Sequence, residues 1–392
     1  MNRWAVVLLV VFTLPAASAA QFKLPVKLAD LEQRARADSN DPAAHFNAAL
    51  GYWNAKRWQD ADRALRTAIL LDPRFAPAYI ALNYLPYAQR STLWEEVQEN
   101  RVPEEWNARM EESDRLFRHA YMIDPLVELR SGDVVSSRST AHLQALEQIY
   151  GEHVRDYADG LDQYFLGEYQ KAYDRFARVI NELDGDTHPD RVPSTVFWWH
   201  GLAAAHVAKW PDATADLERL IDRSLETTRR DSLVHFPLRT NEFRYLLAYV
   251  KQRSGDVNAA IDLYREAITN DIGLYMAHVR LAEMYETARM LPQAVESRRN
   301  AVNANPENPS LLLDLGKTLA TAGQMSDAAG ALREAASANP RDPRPPFYLG
   351  LVLEQLGQKD EARTAFNQFI ALAPSRYDRQ IAMAKQHLDA LR

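Results

Sequence analysis

Residues 309–342 read PSLLLDLGKTLATAGQMSDAAGALREAASANPRD, and the fold is decided there. Leu312, Leu315 and Leu319 repeat at the three-to-four-residue spacing of one helix face. Gly323 breaks the run, and a second amphipathic run containing Leu332 stops at Asn339-Pro340, because proline cannot continue a helix. The small residues Gly316, Ala328 and Ala335 stand where two antiparallel helices come close. The pattern recurs in phase. Ala260, Ala294, Ala328 and Ala362 are each 34 residues apart. Twelve residues before them lie Ala248, Ala282, Gly316 and Gly350; seven after lie Ala267, Ala301, Ala335 and Phe369; twelve after lie Ile272, Pro306, Pro340 and Pro374. Gly255, Gly323 and Gly357 mark the turns between paired helices.

This period and this order of small residues resemble the tetratricopeptide repeat family, whose unit is two antiparallel helices. The match is strongest over 241–374, as four regular units, and continues upstream with more variation. Ala49, Ala61, Ala68 and Pro73 keep phase in a unit from Pro42; Gly160, Gly167, Ala172 and Phe176 define one from His153; Gly201, Ala213, Leu217 and Leu220 one from Ser194. Another unit is interrupted: Ala76–Arg90 and Glu104–Ile123 are its helices, with an insertion at 91–103 containing Trp94. Residues 126–152 are expected to form a connector and an extra helix from Thr140, 227–240 a second connector, and Tyr377–Leu391 a helix capping the stack within 375–392. The resemblance therefore implies an all-α, right-handed superhelix of about seven to eight helix pairs. Regularly placed glycine and proline would break a long coiled coil, the main structural competitor, and the scarcity of alternating β-branched runs disfavours an α/β enzyme.

Composition restricts function. With 47% hydrophobic and 25% charged residues the chain has enough apolar surface for a folded core. A net charge of −7 and the absence of a Lys/Arg-rich run argue against nucleic acid as partner. Without cysteine there is no disulfide, thiolate metal site or Cys nucleophile. Residues 1–20 carry Arg3, an apolar run from Trp4 to Leu14, Pro15 and then Ala16-Ala17-Ser18-Ala19-Ala20, the pattern of a cleavable secretory signal. Cleavage after Ala19 or Ala20 would start the mature chain near Gln21, and no later apolar run is long enough for stable membrane insertion. The expected location is periplasmic or secreted.

Motifs for chemistry are missing. The ten histidines include no H-E-x-x-H; His200 and His206 fall on different helix faces, and His188-Pro189-Asp190 reads as a surface turn. There is no G-x-S-x-G, S-x-x-K or phosphate-binding glycine loop, and pairs such as Glu104-Glu105 and Glu111-Glu112 suit solvated helix faces. The sequence thus suggests no catalytic residue, metal or cofactor.

In the family, first helices line a concave groove. By phase, the resemblance places Phe46, Trp53, Tyr157, Tyr164, Trp198, Tyr245, Tyr249, Met276, Val279, Leu313 and Phe347 on that face. Aromatic side chains offer large contact area at little entropic cost, so the list suggests a groove for a protein or peptide partner. Packing between neighbouring units is the alternative use of the same residues. The Lys and Asn that some relatives use to clamp a carboxylate are replaced by Phe46, Tyr245 or Phe347 and by Leu50, Tyr249 or Leu351. The sequence-based expectation is a non-catalytic scaffold or adaptor acting outside the cytoplasm in envelope assembly or secretion. Glycan or cell-wall polymer stacking on Trp198, Tyr245 and Tyr249 is the second reading. The polar insertion Ser91–Arg101, with Glu95-Glu96, is a further candidate contact.

Overall fold

A computed structural model describes residues 27–89, 106–127, 151–183, 188, 191–225 and 240–391. The signal-like segment 1–20, the insertion at 91–103, the extra helix from Thr140 and most of both connectors lie outside the described residues. Among the described residues there are eighteen α-helices and no strand. Leu28–Ala37 is α1. Eight antiparallel pairs follow: α2/α3 (Pro42–Asn54, Trp58–Leu71), α4/α5 (Ala76–Gln89, Trp106–Ile123), α6/α7 (Val154–Phe165, Tyr169–Glu182) and α8/α9 (Ser194–His206, Trp210–Leu225), then α10/α11 (Thr240–Ser254, Val257–Asn270), α12/α13 (Tyr275–Thr287, Leu291–Ala304), α14/α15 (Pro309–Thr321, Met325–Ala338) and α16/α17 (Arg344–Gln355, Lys359–Leu372). Helix α18, Asp378–Ala390, packs on α17. Apart from the step from α5 to α6, each helix packs on the one before and the one after, the expected pattern of a helical solenoid.

Every described turn within a pair is built alike. Lys56, Gly167, Ala208, Gly255, Arg289, Gly323 and Gly357 occupy one position in the repeat, and all have positive φ, from 57° to 90°. At each, two backbone bonds close the preceding helix, as in Gly323 N–H to Ala320 O and Gln324 N–H to Leu319 O. This is the Schellman arrangement, whose left-handed residue favours glycine. Lys56, Ala208 and Arg289 adopt it against that preference. The ends between units are also regular: Asp72, Asp271 and Asn339 each accept, through Oδ1, the N–H two residues on, and Asp41 and Asn308 cap the helices that follow them.

Small residues set the spacing inside a pair. A Cβ added at Gly316 would lie 2.6 Å from Leu332 Cγ, and one at Gly350 2.7 Å from Phe366 Cε1, so these helices touch backbone to side chain. One apolar core runs from Phe46 to Leu311, and a second cluster continues it from Val295 to Leu391.

The solenoid also closes on itself. Helix α5 packs against α10, and the turns after α1, α3 and α5 meet the C-terminal units. After α1, Ser375 Oγ donates to Asp38 Oδ2 at 2.9 Å, Asn40 Nδ2 donates to Leu372 O at 3.1 Å, and Arg376 pairs with Asp41 at 3.2 Å. Repeat phase alone predicts none of these contacts.

Candidate partner-binding surface

The apolar residues expected along the groove are placed inside the packing. Phe46 meets Phe75 edge-on at 5.4 Å, Trp53 meets Trp58 at 6.1 Å, Tyr157 lies 5.9 Å from Phe176, and Phe347 lies 4.9 Å from Phe369. Tyr164 sits among Tyr169, Trp199 and His206, and Trp198 is wedged between Tyr121 and Phe243. Met276, Val279 and Leu313 are buried in the core, and Tyr245 has no exposed surface. Only Tyr249 of this set is half-buried, with the Arg280 guanidinium 5.3 Å from its ring centre. The residues therefore form no continuous open aromatic face in this closed form. Each fills the space between adjacent helices, where the large apolar area is most stabilising.

Polar residues of the C-terminal units make the longer-range contacts; Tyr245 was among the residues expected in the groove, whereas Arg280, Asn339 and Arg341 were not. Tyr245 Oη donates to Met122 O at 2.6 Å, and Arg280 Nη2 donates to Ile123 O at 2.9 Å. Asn339 Nδ2, at the end of α15, lies 3.4 Å from Leu70 O and 3.2 Å from Leu71 O. Arg341 Nη2 donates to Ser39 O at 2.5 Å. Two ion pairs frame the second of these helix ends: Arg74 with Asp314 at 2.6 Å and Arg344 with Asp72 at 3.4 Å.

Electrostatics favour these pairs. Burial pushes the Asp314 carboxyl up, but Arg74, Lys317 and Arg298 together outweigh it and hold the group well below the usual carboxylate range. Burial likewise pushes Asp72 up, and Arg344 and Arg74 reverse the shift to a net lowering. Asp41 differs: burial dominates over the nearby Arg376, and its carboxyl is raised. The signal for such residues was present in the sequence. Arg280 and Asp314 are charged residues at one repeat position, 34 apart, inside otherwise apolar helix faces.

Two other places gather polar and titratable side chains. His200 and His206 lie apart: His200 Nδ1 is 2.5 Å from buried Asp216, while His206 stacks on Tyr169 at 3.7 Å. A cleft of about 390 Å³ between α3, α4 and α5 is lined by Trp58, Asp62, Arg66, Leu82 and Glu112. Its ionic groups face each other, Arg66 pairing with Asp62 at 2.9 Å and Glu112 at 3.3 Å. Neither cluster sets a nucleophile beside a base.

A tetratricopeptide repeat model matches residues 279–343 and 313–377. No curated protein matches the chain. Among solved structures it is similar to MamA AMB-1, with 18% identity, 46% of this chain and 91% of that one covered, and a TM-score of 0.36. It is also similar to the C-terminal part of a TPR repeat-containing protein from Cytophaga hutchinsonii, with 13% identity, coverage of 60% and 92%, and a TM-score of 0.46. For yeast Tom70 the identity is 12%, the coverage 93% and 92%, and the TM-score 0.41. No helix among the described residues is long and apolar enough to cross a membrane.

Proposed function

Because the chain is a tetratricopeptide repeat protein, we propose that it is a non-catalytic scaffold that holds a polypeptide partner on its C-terminal units. The observation that carries this reading is the set of side-chain donors on those units, Tyr245, Arg280 and Asn339, aimed at main-chain carbonyls. Donors fixed on rigid helices and at a helix end suit recognition of a polypeptide backbone. Tyr249, Glu283, Lys317 and Leu351, on the first helices of the C-terminal units, keep part of their surface open and extend the contact area. Trp198 and Tyr245, two of the three contacts expected for polysaccharide stacking, are buried.

The signal-like pattern of residues 1–20 supports action outside the cytoplasm, in the periplasm or medium, with envelope assembly or secretion as the setting. Affinity purification of the tagged full chain from an envelope fraction, with mass spectrometry, tests the scaffold reading. A specific protein enriched over an unrelated exported control is expected. Recovery of nothing beyond that control would remove the reading. Fractionation of cells expressing the chain with and without residues 1–20 tests location independently.

A further inference from the structure

The two helix ends held by the C-terminal units share more than position. Helix α3 ends Leu70-Leu71-Asp72-Pro73 and α5 ends Met122-Ile123-Asp124-Pro125, each two apolar residues followed by Asp-Pro. In both, the carbonyls of the last two helical residues receive the side-chain donors, and in both the Asp Oδ1 accepts the N–H two residues on. The last carbonyls of any helix lack partners within it and carry the negative end of the helix dipole. Tyr245, Arg280 and Asn339 supply the missing donors, and Arg280 adds a positive charge. The later units end differently: Asn270-Asp271-Ile272, Ala304-Asn305-Pro306, Ala338-Asn339-Pro340 and Ala373-Pro374 lack the apolar-apolar-Asp-Pro sequence. Ligand motif and receptor residues are thus divided between the two halves of the chain.

We propose that these donors form a receptor for α-helix carboxyl ends of the form apolar-apolar-Asp-Pro, occupied here by the chain's own N-terminal turns. The partner is a polypeptide presenting such an end, and it binds by displacing the turn after α3 or α5. A basic residue after the proline, as in Arg74, adds the ion pair with Asp314 at the α3 position. The inference rests on the scaffold reading and adds to it both the chemistry of the partner and a built-in competitor. Until the internal turn leaves, the apparent affinity for a partner is reduced by the fraction of molecules that are open.

The test uses the full chain and a fluorescent peptide of its own residues 62–75, DRALRTAILLDPRF, which carry the α3 end. Asp72→Ala/Arg74→Ala removes both ion pairs from the ligand side and leaves the receptor residues unaltered. If the closed form dominates, the peptide binds this variant at least about tenfold more tightly than the unaltered chain. Adding Asn339→Ala, or scrambling the peptide's last six residues, abolishes the gain. Equal affinity for the unaltered and opened chains would overturn the proposal, as would a gain that survives Asn339→Ala or a scrambled peptide. Should the double variant lose helical signal, Asp72→Asn/Arg74→Gln replaces it under the same criteria. A partner captured equally by the unaltered and opened chains, with no peptide binding, would leave the scaffold reading standing and remove this one.

Discussion

Ala208 is the sharpest place to perturb the repeat turn. Its φ is 59°, and its N–H and that of Lys209 close α8 onto Ala205 O and Ala204 O. For an L-residue this left-handed conformation costs about 1–2 kcal/mol. Ala208→Gly removes that cost but gives the unfolded chain more freedom, an opposing effect of about 0.4–1 kcal/mol. The net expectation is stabilisation of roughly 0.5–1 kcal/mol. Gly323→Ala is the reverse experiment. An added Cβ there meets nothing within 4 Å, so backbone strain alone acts, and a loss of roughly 0.5–1 kcal/mol is expected. Repeat arrays unfold unit by unit, so native-state hydrogen exchange should be read separately in α8/α9 and α14/α15. Protection should rise for Ala208→Gly and fall for Gly323→Ala. A neutral or destabilising Ala208→Gly, together with a neutral Gly323→Ala, would refute the claim that the turn imposes one left-handed position on every described unit.

Three further outcomes are expected. Gly350→Ala forces a Cβ to 2.7 Å from the Phe366 ring and should lose about 1–3 kcal/mol to overpacking, whereas exposed Gly330→Ala meets nothing and should gain about 0.5–1 kcal/mol; hydrogen exchange in α15 and α17 reads both signs. Asp216→Ala leaves a nitrogen of buried His200 without its 2.5 Å partner and should cost about 1–3 kcal/mol in local stability, the loss confined to α8/α9. On acidification, stability from the lowered carboxyls of Asp72 and Asp314 is fully present above their unfolded value near 3.9 and is lost as pH falls through the folded values. Asp41, raised instead, takes its proton first, so the Arg376 contact after α1 should loosen while the pairs after α3 persist. Crosslinking yield between the two ends, followed from pH 7 downward, checks that order.

Repeat phase made the helix pairs legible because each is a local solution: two amphipathic runs, a turn and a terminator within 34 residues. The turn at Lys56, Ala208 and Arg289 carries no glycine to announce it, and only the repeat position does so. The groove was less legible. Phase assigns Trp198 and Tyr245 to first helices, but it contains no information on α5 returning to lie beside them; Trp198 then touches Tyr121, and Tyr245 bonds to Met122. Closure depends on the sum of small rotations over many units, which a period cannot report. Charged residues isolated on apolar faces, Arg280 and Asp314, are the local trace that closure leaves in the sequence.

The central claim is that the N-terminal turns are held by the C-terminal units within one molecule. The chain has no cysteine, so Asp38→Cys/Ser375→Cys introduces the only two thiols, at side chains whose oxygens are 2.9 Å apart. Mild oxidation at low protein concentration, followed by non-reducing electrophoresis and mass spectrometry, measures closure directly. The account predicts an intramolecular disulfide joining the two ends in most molecules. Monomer that stays reduced, or bonds formed only between molecules, would contradict it.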